Sequence, residues 1–225
     1  MRISGLEKLT LTDYPGHIAC ILFTQGCNFK CPFCQNSPLL EYKEGIIPEE
    51  DVFEYLNKRK KQLEGVVVSG GEPTIQKDLV SFITRVKELG LKVKLDTNGS
   101  NPMVLQELLD KNLLDYVAMD IKNVLSKYNP IIGCKTNIKN IEKSINILKN
   151  SKIDFEFRTT IMKEHHSIED IKKICELVDG HKYFLQNYQE SENVIDKTLT
   201  SFTNDELINI KKELINFPNV NIRGI

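Results

Sequence analysis

GCNFKCPFCQN, residues 26–36, sets Cys27, Cys31 and Cys34 three and two residues apart, directly after the apolar run HIACILFT, residues 17–24. A continuous apolar run of strand length, bounded by turn residues, predicts a strand buried on both faces of a parallel sheet. That strand delivers the cysteine loop at its carboxyl end, where parallel α/β folds place their ligands. With Gly26 and Pro32 to shape it, so short a loop can turn three sulfurs inward at one soft metal centre. A closed structural zinc site needs a fourth Cys or His, usually paired two and two. Cys134 and Cys175 are distant and single, so no second pair follows. A cubane iron–sulfur cluster takes one thiolate per iron, and three thiolates would leave one iron open. For the loop taken alone, a zinc knuckle or three unrelated thiols remain alternatives.

The rest of the composition is that of an ordinary globular protein. Its 225 residues are 40% apolar and 27% charged, enough to bury a sizeable core within one domain spanning 1–225. With 30 basic and 31 acidic residues the net charge is −1, which gives no electrostatic case for a nucleic-acid or membrane partner and leaves a protein partner open. No apolar run approaches membrane-spanning length and no export signal is read, so the expected location is the cytoplasm. In a reducing compartment the six cysteines are expected free or metal-bound rather than in disulfides. Cys20, Cys134 and Cys175 are expected as small buried apolar side chains.

Strand and helix signals alternate along the chain. Residues 3–12 alternate weakly before the turn Asp13-Tyr14-Pro15-Gly16 and predict an opening strand or hairpin. Pro48-Glu49-Glu50 opens a helix, and residues 65–68 form the second buried strand. Helices are then expected at 77–89, 101–112, 137–150, 167–178 and 204–215, with strands at 92–95, 115–121, 153–161, 183–186 and 220–223. Short joints between alternating elements argue a parallel sheet with right-handed crossovers. About six or seven βα units fall short of a full barrel of about 250 residues. The expected architecture is therefore α/β, an open, partial (β/α)6-type TIM-like barrel, with room for a large substrate at its open side.

Polar residues gather at the ends of these strands. The second buried strand runs into Ser69-Gly70-Gly71-Glu72-Pro73-Thr74, where two glycines let backbone approach a ligand and Glu72 brings a carboxylate to the rim that carries the cysteines. Later strands end in Asp96-Thr97-Asn98-Gly99 and in Asp120 followed by Lys122, and FRTTI carries Arg158. Each has an ordinary reading alone: Asp96 and Asp120 as helix caps, Arg158 as a surface charge. The four histidines offer no competing metal site. His165-His166 is expected to be solvated or to cap a helix, and His17 and His181 are isolated.

The cysteine spacing, followed one strand later by all four positions of Gly70-Gly71-Glu72-Pro73, resembles the loops of the radical S-adenosylmethionine (SAM) superfamily. That resemblance implies a 4Fe-4S cluster on Cys27, Cys31 and Cys34. SAM would chelate the open iron, with its amino group at Gly70–Pro73 and its adenine against Phe33. Nearly the whole chain, including GLEKLTLTDYPG, LDTNGSNP and YVAMDIK, is similar to the glycyl-radical-enzyme activases, most of all to the activating proteins of anaerobic ribonucleoside-triphosphate reductase. In such proteins one electron from the cluster splits SAM into methionine and a 5′-deoxyadenosyl radical, which takes hydrogen from a backbone glycine of the partner. The resemblance places Asp96 and Asp120 beside SAM with a monovalent cation, and has Arg158 engage SAM. It adds Gln35 and Asn98 to the cofactor site, Asp120 and Lys122 to the active site, and a flavodoxin or ferredoxin as electron donor. One departure stands out: pyruvate formate-lyase activases carry a His after the sixth strand, where this chain reads Gln186-Asn187-Tyr188, and Tyr188 is the expected substitute. Three other readings stay open: an activase of a pyruvate formate-lyase-type enzyme, a radical SAM enzyme acting on a small molecule, and a non-catalytic iron–sulfur or zinc module. The last leaves Gly70–Pro73 unexplained.

Overall fold

The computed structural model describes residues 1–223. β1 (Ile3–Thr10) and β2 (Ala19–Thr24) form an antiparallel hairpin across the predicted turn. β3 (Gly65–Gly70), β4 (Lys92–Thr97), β5 (Tyr116–Asp120), β6 (Asp154–Ile161), β7 (Tyr183–Asn187) and β8 (Val220–Arg223) then add in chain order, each parallel to the one before. The eight-stranded sheet runs β1 to β8 without closing. The crossovers carry α1 (Glu49–Arg59), α2 (Leu79–Glu88), α3 (Pro102–Asp110), α4 (Tyr128–Ile131), α5 (Ile138–Lys149), α6 (Ile168–Val178) and α7 (Asn204–Glu213). This is the open, partial barrel expected from the alternation of signals.

Local chemistry explains the element ends. Three acids occupy the first turn of α1 and Lys58 and Arg59 its last, each matched to the helix dipole. α6 and α7 begin in capping boxes, Ser167 with Asp170 and Thr203 with Glu206. β3 and β4 each run two residues past their apolar cores, to Gly70 and Thr97. In β3 the added residues pair with Phe23 and Thr24 of β2, and the Thr24 hydroxyl donates to Ser69 O at 3.0 Å. α4 is a short turn that holds Pro130 and gives no periodic signal.

Strand alternation divides the molecule into two interiors. Outward-facing residues such as Cys20, Leu22, Val66, Val68, Val93 and Leu95 pack beneath the helices in the main core. On the concave face, Tyr14, Ile21, Val67, Tyr116 and Ala118 fill the lower barrel. Above that plug the same face turns polar, which is what leaves a cavity at the carboxyl ends of the strands. Among the described residues no helix is long and apolar enough to cross a membrane.

Candidate active site

The cavity, about 350 Å³, is walled on one side by the cysteine loop. Cys27, Cys31 and Cys34 all line it, with Phe33 and Gln35 between and beside them. All six cysteines are free thiols. Burial pushes the Cys27 thiol up to about 12 and Cys31 to about 11, while the nearby Lys122 ammonium pulls both back. Buried thiols of this kind become thiolates when a metal neutralises them. Among the described residues no three His, Cys, Asp or Glu side chains converge on a single-ion point, as a tetrahedral zinc site would require. Three thiols on one wall of the cavity suit a polynuclear cluster, which takes them at separate irons.

The loop after β3 locks onto the cysteine loop through backbone. Gly71 N donates to Thr24 O at 2.9 Å, and Glu72 N donates to Gly26 O at 2.9 Å. The contact is too close for any side chain: a Cβ on Gly71 would lie 2.1 Å from Gly26 O, and Gly70 holds φ at +105°. Pro73 does not line the cavity; it starts a 3-10 turn, Pro73–Ile75, that lets Glu72 act as its cap. The Glu72 side chain is 1% exposed. Its Oε1 accepts from Thr74 N (3.1 Å), Thr74 Oγ1 (2.5 Å) and Thr97 Oγ1 (2.7 Å), and its Oε2 from Asn98 N (2.7 Å). Burial raises the carboxyl above its ordinary value, and these donors pull it back. Glu72 is thus a hub that ties the loop after β3 to the loop after β4.

Opposite the cysteines lies a charged layer. Burial alone would raise the Asp120 carboxyl, but the Arg158 guanidinium and the Lys122 ammonium hold it at about 2. Arg158 Nε donates to Asp120 Oδ1 at 2.8 Å and Lys122 Nζ to Asp120 Oδ2 at 3.1 Å. Asp96 is lowered in the same way, by Arg158 and Lys94 working against burial. Lys94 Nζ lies 2.5 Å from Asp96 Oδ1, while Ser69 Oγ (3.0 Å) and Arg158 Nη1 (3.5 Å) reach Oδ2. Every oxygen of the two carboxylates therefore has a side-chain cation beside it. Where the resemblance puts a monovalent cation, this chain has its own. Lys122 also sits 5.8 Å above the Phe33 ring, joining the charged layer to the cysteine loop.

Of the residues singled out in the sequence, the three cysteines, Phe33, Gln35, Gly70, Gly71, Glu72, Asp96, Asn98, Asp120, Lys122 and Arg158 meet around this one cavity. Tyr188 does not. Its ring is packed in the helix-side core, 1% exposed, and the side chain that faces the cavity from β7 is Gln186. Two residues apart, they would share a face if the strand continued; β7 ends at Asn187 between them, so the chain leaves the sheet and Tyr188 turns to the other side. His166 is not solvated either. It is 2% exposed, burial lowers it to about 4, and its Nδ1 accepts from Met162 N at 3.4 Å. The neutral ring therefore donates from Nε2 to Lys122 O at 3.0 Å. Cys134 is half-buried against the cysteine loop, its Sγ 3.5 Å from Asn28 O. Lys94, Ser69, Thr160 and Gln186 were not among the candidates. Counting by twos from Asp96 and Arg158 along each strand would have found Lys94 and Thr160.

Comparison with known proteins agrees with this geometry. The family model described as the radical SAM superfamily matches residues 21–178. A Methanocaldococcus jannaschii protein provisionally named a glycyl-radical enzyme activating enzyme is 39% identical over 197 residues, 84% of this chain and 81% of its own length. The pyruvate formate-lyase-activating enzyme of Listeria monocytogenes is 32% identical over 148 residues, covering 60% of this chain and 59% of that protein. Among solved structures, Streptococcus suis SuiB bound to S-adenosylmethionine superposes with a TM-score of 0.70 at 19% identity, over 89% of this chain and about half (48%) of SuiB. The match over most of the barrel, together with three free thiols and a Gly-Gly-Glu loop at one cavity, places the chain in the radical SAM superfamily, beside relatives named as glycyl-radical-enzyme activating enzymes.

Proposed function

We propose that this protein is a radical SAM activating enzyme that takes a hydrogen atom from a backbone glycine of anaerobic ribonucleoside-triphosphate reductase, all of 1–225 acting as one domain. The observation that carries the reading is the pairing of the three-thiol wall with the Gly70–Glu72 loop, braced to each other at Gly26. Cys27, Cys31 and Cys34 would hold a 4Fe-4S cluster, which when bound supplies the electron for reductive cleavage of SAM. The chain's own residues bind and orient. Gly70 and Gly71 offer backbone with no side chain in the way, Phe33 offers an aromatic face, and Asp96, Asp120 and Arg158 present fixed charges to a zwitterionic ligand. Lys122 and Asp120 face the reacting region. No acid–base pair is required, because a hydrogen atom is moved rather than a proton.

A sheet left open between β1 and β8 suits a polypeptide loop as substrate, and the names of the relatives point to glycyl radical enzymes. A flavodoxin or ferredoxin would deliver the electron. The test of the partner is to mix the loaded, reduced protein and SAM with an anaerobic ribonucleoside-triphosphate reductase or with a pyruvate formate-lyase, and record the glycyl-radical signal by electron paramagnetic resonance. The reductase should acquire the radical and the lyase should not. A radical on the lyase alone would reassign the partner, and release of a modified small molecule with neither partner radical would reassign the substrate class.

A further inference from the structure

The strongest unassigned feature is a hydrogen-bonded ring around Cys27. Gly26 O accepts from Glu72 N (2.9 Å), Glu72 Oε2 accepts from Asn98 N (2.7 Å), and Asn98 Nδ2 donates to Asn28 Oδ1 (3.0 Å). The ring leaves the cysteine loop on one side of Cys27 and returns to it on the other. Asn28 also donates from Nδ2 to Ser100 Oγ at 2.8 Å. The orientations are fixed by the network itself. Asn98 Oδ1 already accepts from Ser100 N at 2.9 Å, so its amide nitrogen must be the donor, and Asn28 must meet it with oxygen.

An exposed asparagine has no need to spend both ends of its amide on one neighbouring loop, since water would satisfy them. The loop it grips is itself held. Asn98 and Ser100 are 6% and 8% exposed, Ser144 Oγ donates to Gly99 O at 2.7 Å, and Asn140 Nδ2 donates to Ser100 O at 3.1 Å, both from α5. We infer that Asn28 is a positioning residue that hooks the cysteine loop onto this helix-anchored platform, so that the cluster ligands and the Gly70–Glu72 backbone keep one fixed separation. The inference rests on the function proposed above. It also gives the Asn98 side chain a different duty from cofactor contact: both ends of its amide are occupied by Ser100 and Asn28.

The test compares wild type, Asn28→Ala and Ser100→Ala, each loaded anaerobically with iron and sulfide. Four quantities are read: iron and sulfide content, the SAM dissociation constant, the SAM-induced change in the resonance spectrum of the reduced cluster, and the melting temperature of the cluster-free protein. Loss of two modest hydrogen bonds should weaken SAM binding roughly tenfold in Asn28→Ala, and loss of one about threefold in Ser100→Ala. The cluster-free melting temperature of Asn28→Ala should fall by no more than the roughly 3–6 °C that two such bonds are worth. Wild-type SAM affinity in loaded Asn28→Ala overturns the inference, as does weakening that only tracks lost iron or lost thermal stability. If Asn28→Ala does not load, Ser100→Ala decides, because its cysteine loop is unaltered: weaker SAM binding at full iron content supports the hook, and unchanged binding refutes it. Failure of loaded wild type to bind SAM at all would overturn the underlying function instead.

Discussion

Glu72→Ala should lower the melting temperature of the cluster-free protein by roughly 6–12 °C and remove SAM binding from the loaded protein. The reason is the number of groups that depend on one carboxylate. Four donors from Thr74, Thr97 and Asn98 end on its two oxygens in a site closed to solvent. Truncation leaves them facing a void, at about 1–3 kcal/mol for each buried group that water cannot reach. Relaxation of the loop keeps the total nearer about 3 kcal/mol. Glu72→Gln should fall between, since its amide oxygen can serve the Oε1 donors while its NH2 must face the Asn98 N–H. Scanning calorimetry of the three proteins checks this. A melting temperature for Glu72→Ala within about 2 °C of wild type would mean that the loops after β3 and β4 are held together by something else.

Arg158→Met should cost the cluster-free protein about 2–3 kcal/mol at pH 7 and flatten its acid response. Removing one partner of a buried ion pair usually costs about 3–5 kcal/mol, and here Lys94 and Lys122 remain to soften the loss. The pH dependence has a definite sign. Asp120 is held at about 2 in the folded protein, against about 3.9 in an unfolded chain. It therefore adds stability that is complete above about pH 5 and is lost as pH falls through 4 toward 2, on the order of 2 kcal/mol. With Arg158 gone the Asp120 carboxyl moves back toward its ordinary value and most of that contribution disappears at every pH. Urea unfolding at pH 7 and pH 3 should thus show a smaller difference between the two pH values in the variant than in wild type. An equal difference would place the acid sensitivity elsewhere.

The order of strands and helices could be read from the sequence because several parallel strands carry a short apolar run, as residues 19–22, 65–68 and 116–119 do, and α1, α5, α6 and α7 open on a side-chain cap or an acidic first turn. The cavity could be read in part because residues that line it stand at or just after the carboxyl ends of strands, as Cys27, Gly70, Asp96 and Asp120 do. What escaped depends on contacts between loops. His166 looks like a surface histidine beside His165, and only the fold brings it beneath Lys122. Asn28 is one residue in a polar loop until Asn98 and Ser100 are brought alongside it. Lys94 sits in a strand that alternates Lys92, Val93, Lys94, Leu95 as though both lysines faced solvent, yet it is 2% exposed because Asp96, two residues on, neutralises it. Tyr188 packs in the helix-side core instead of at the cavity, because alternation stops being a guide where β7 ends at Asn187.

The most direct test of the central claim is SAM cleavage by the loaded protein. Purified protein is reconstituted with iron and sulfide under anaerobic conditions, reduced with dithionite and given SAM, and 5′-deoxyadenosine and methionine are quantified. Wild type should give equal amounts of both products, and Cys31→Ala, checked for a wild-type circular dichroism spectrum, should give none because it lacks one of the three thiols on the cavity wall. Absence of 5′-deoxyadenosine from wild type carrying a full complement of iron and sulfide, or the same yield from Cys31→Ala, would contradict the central claim.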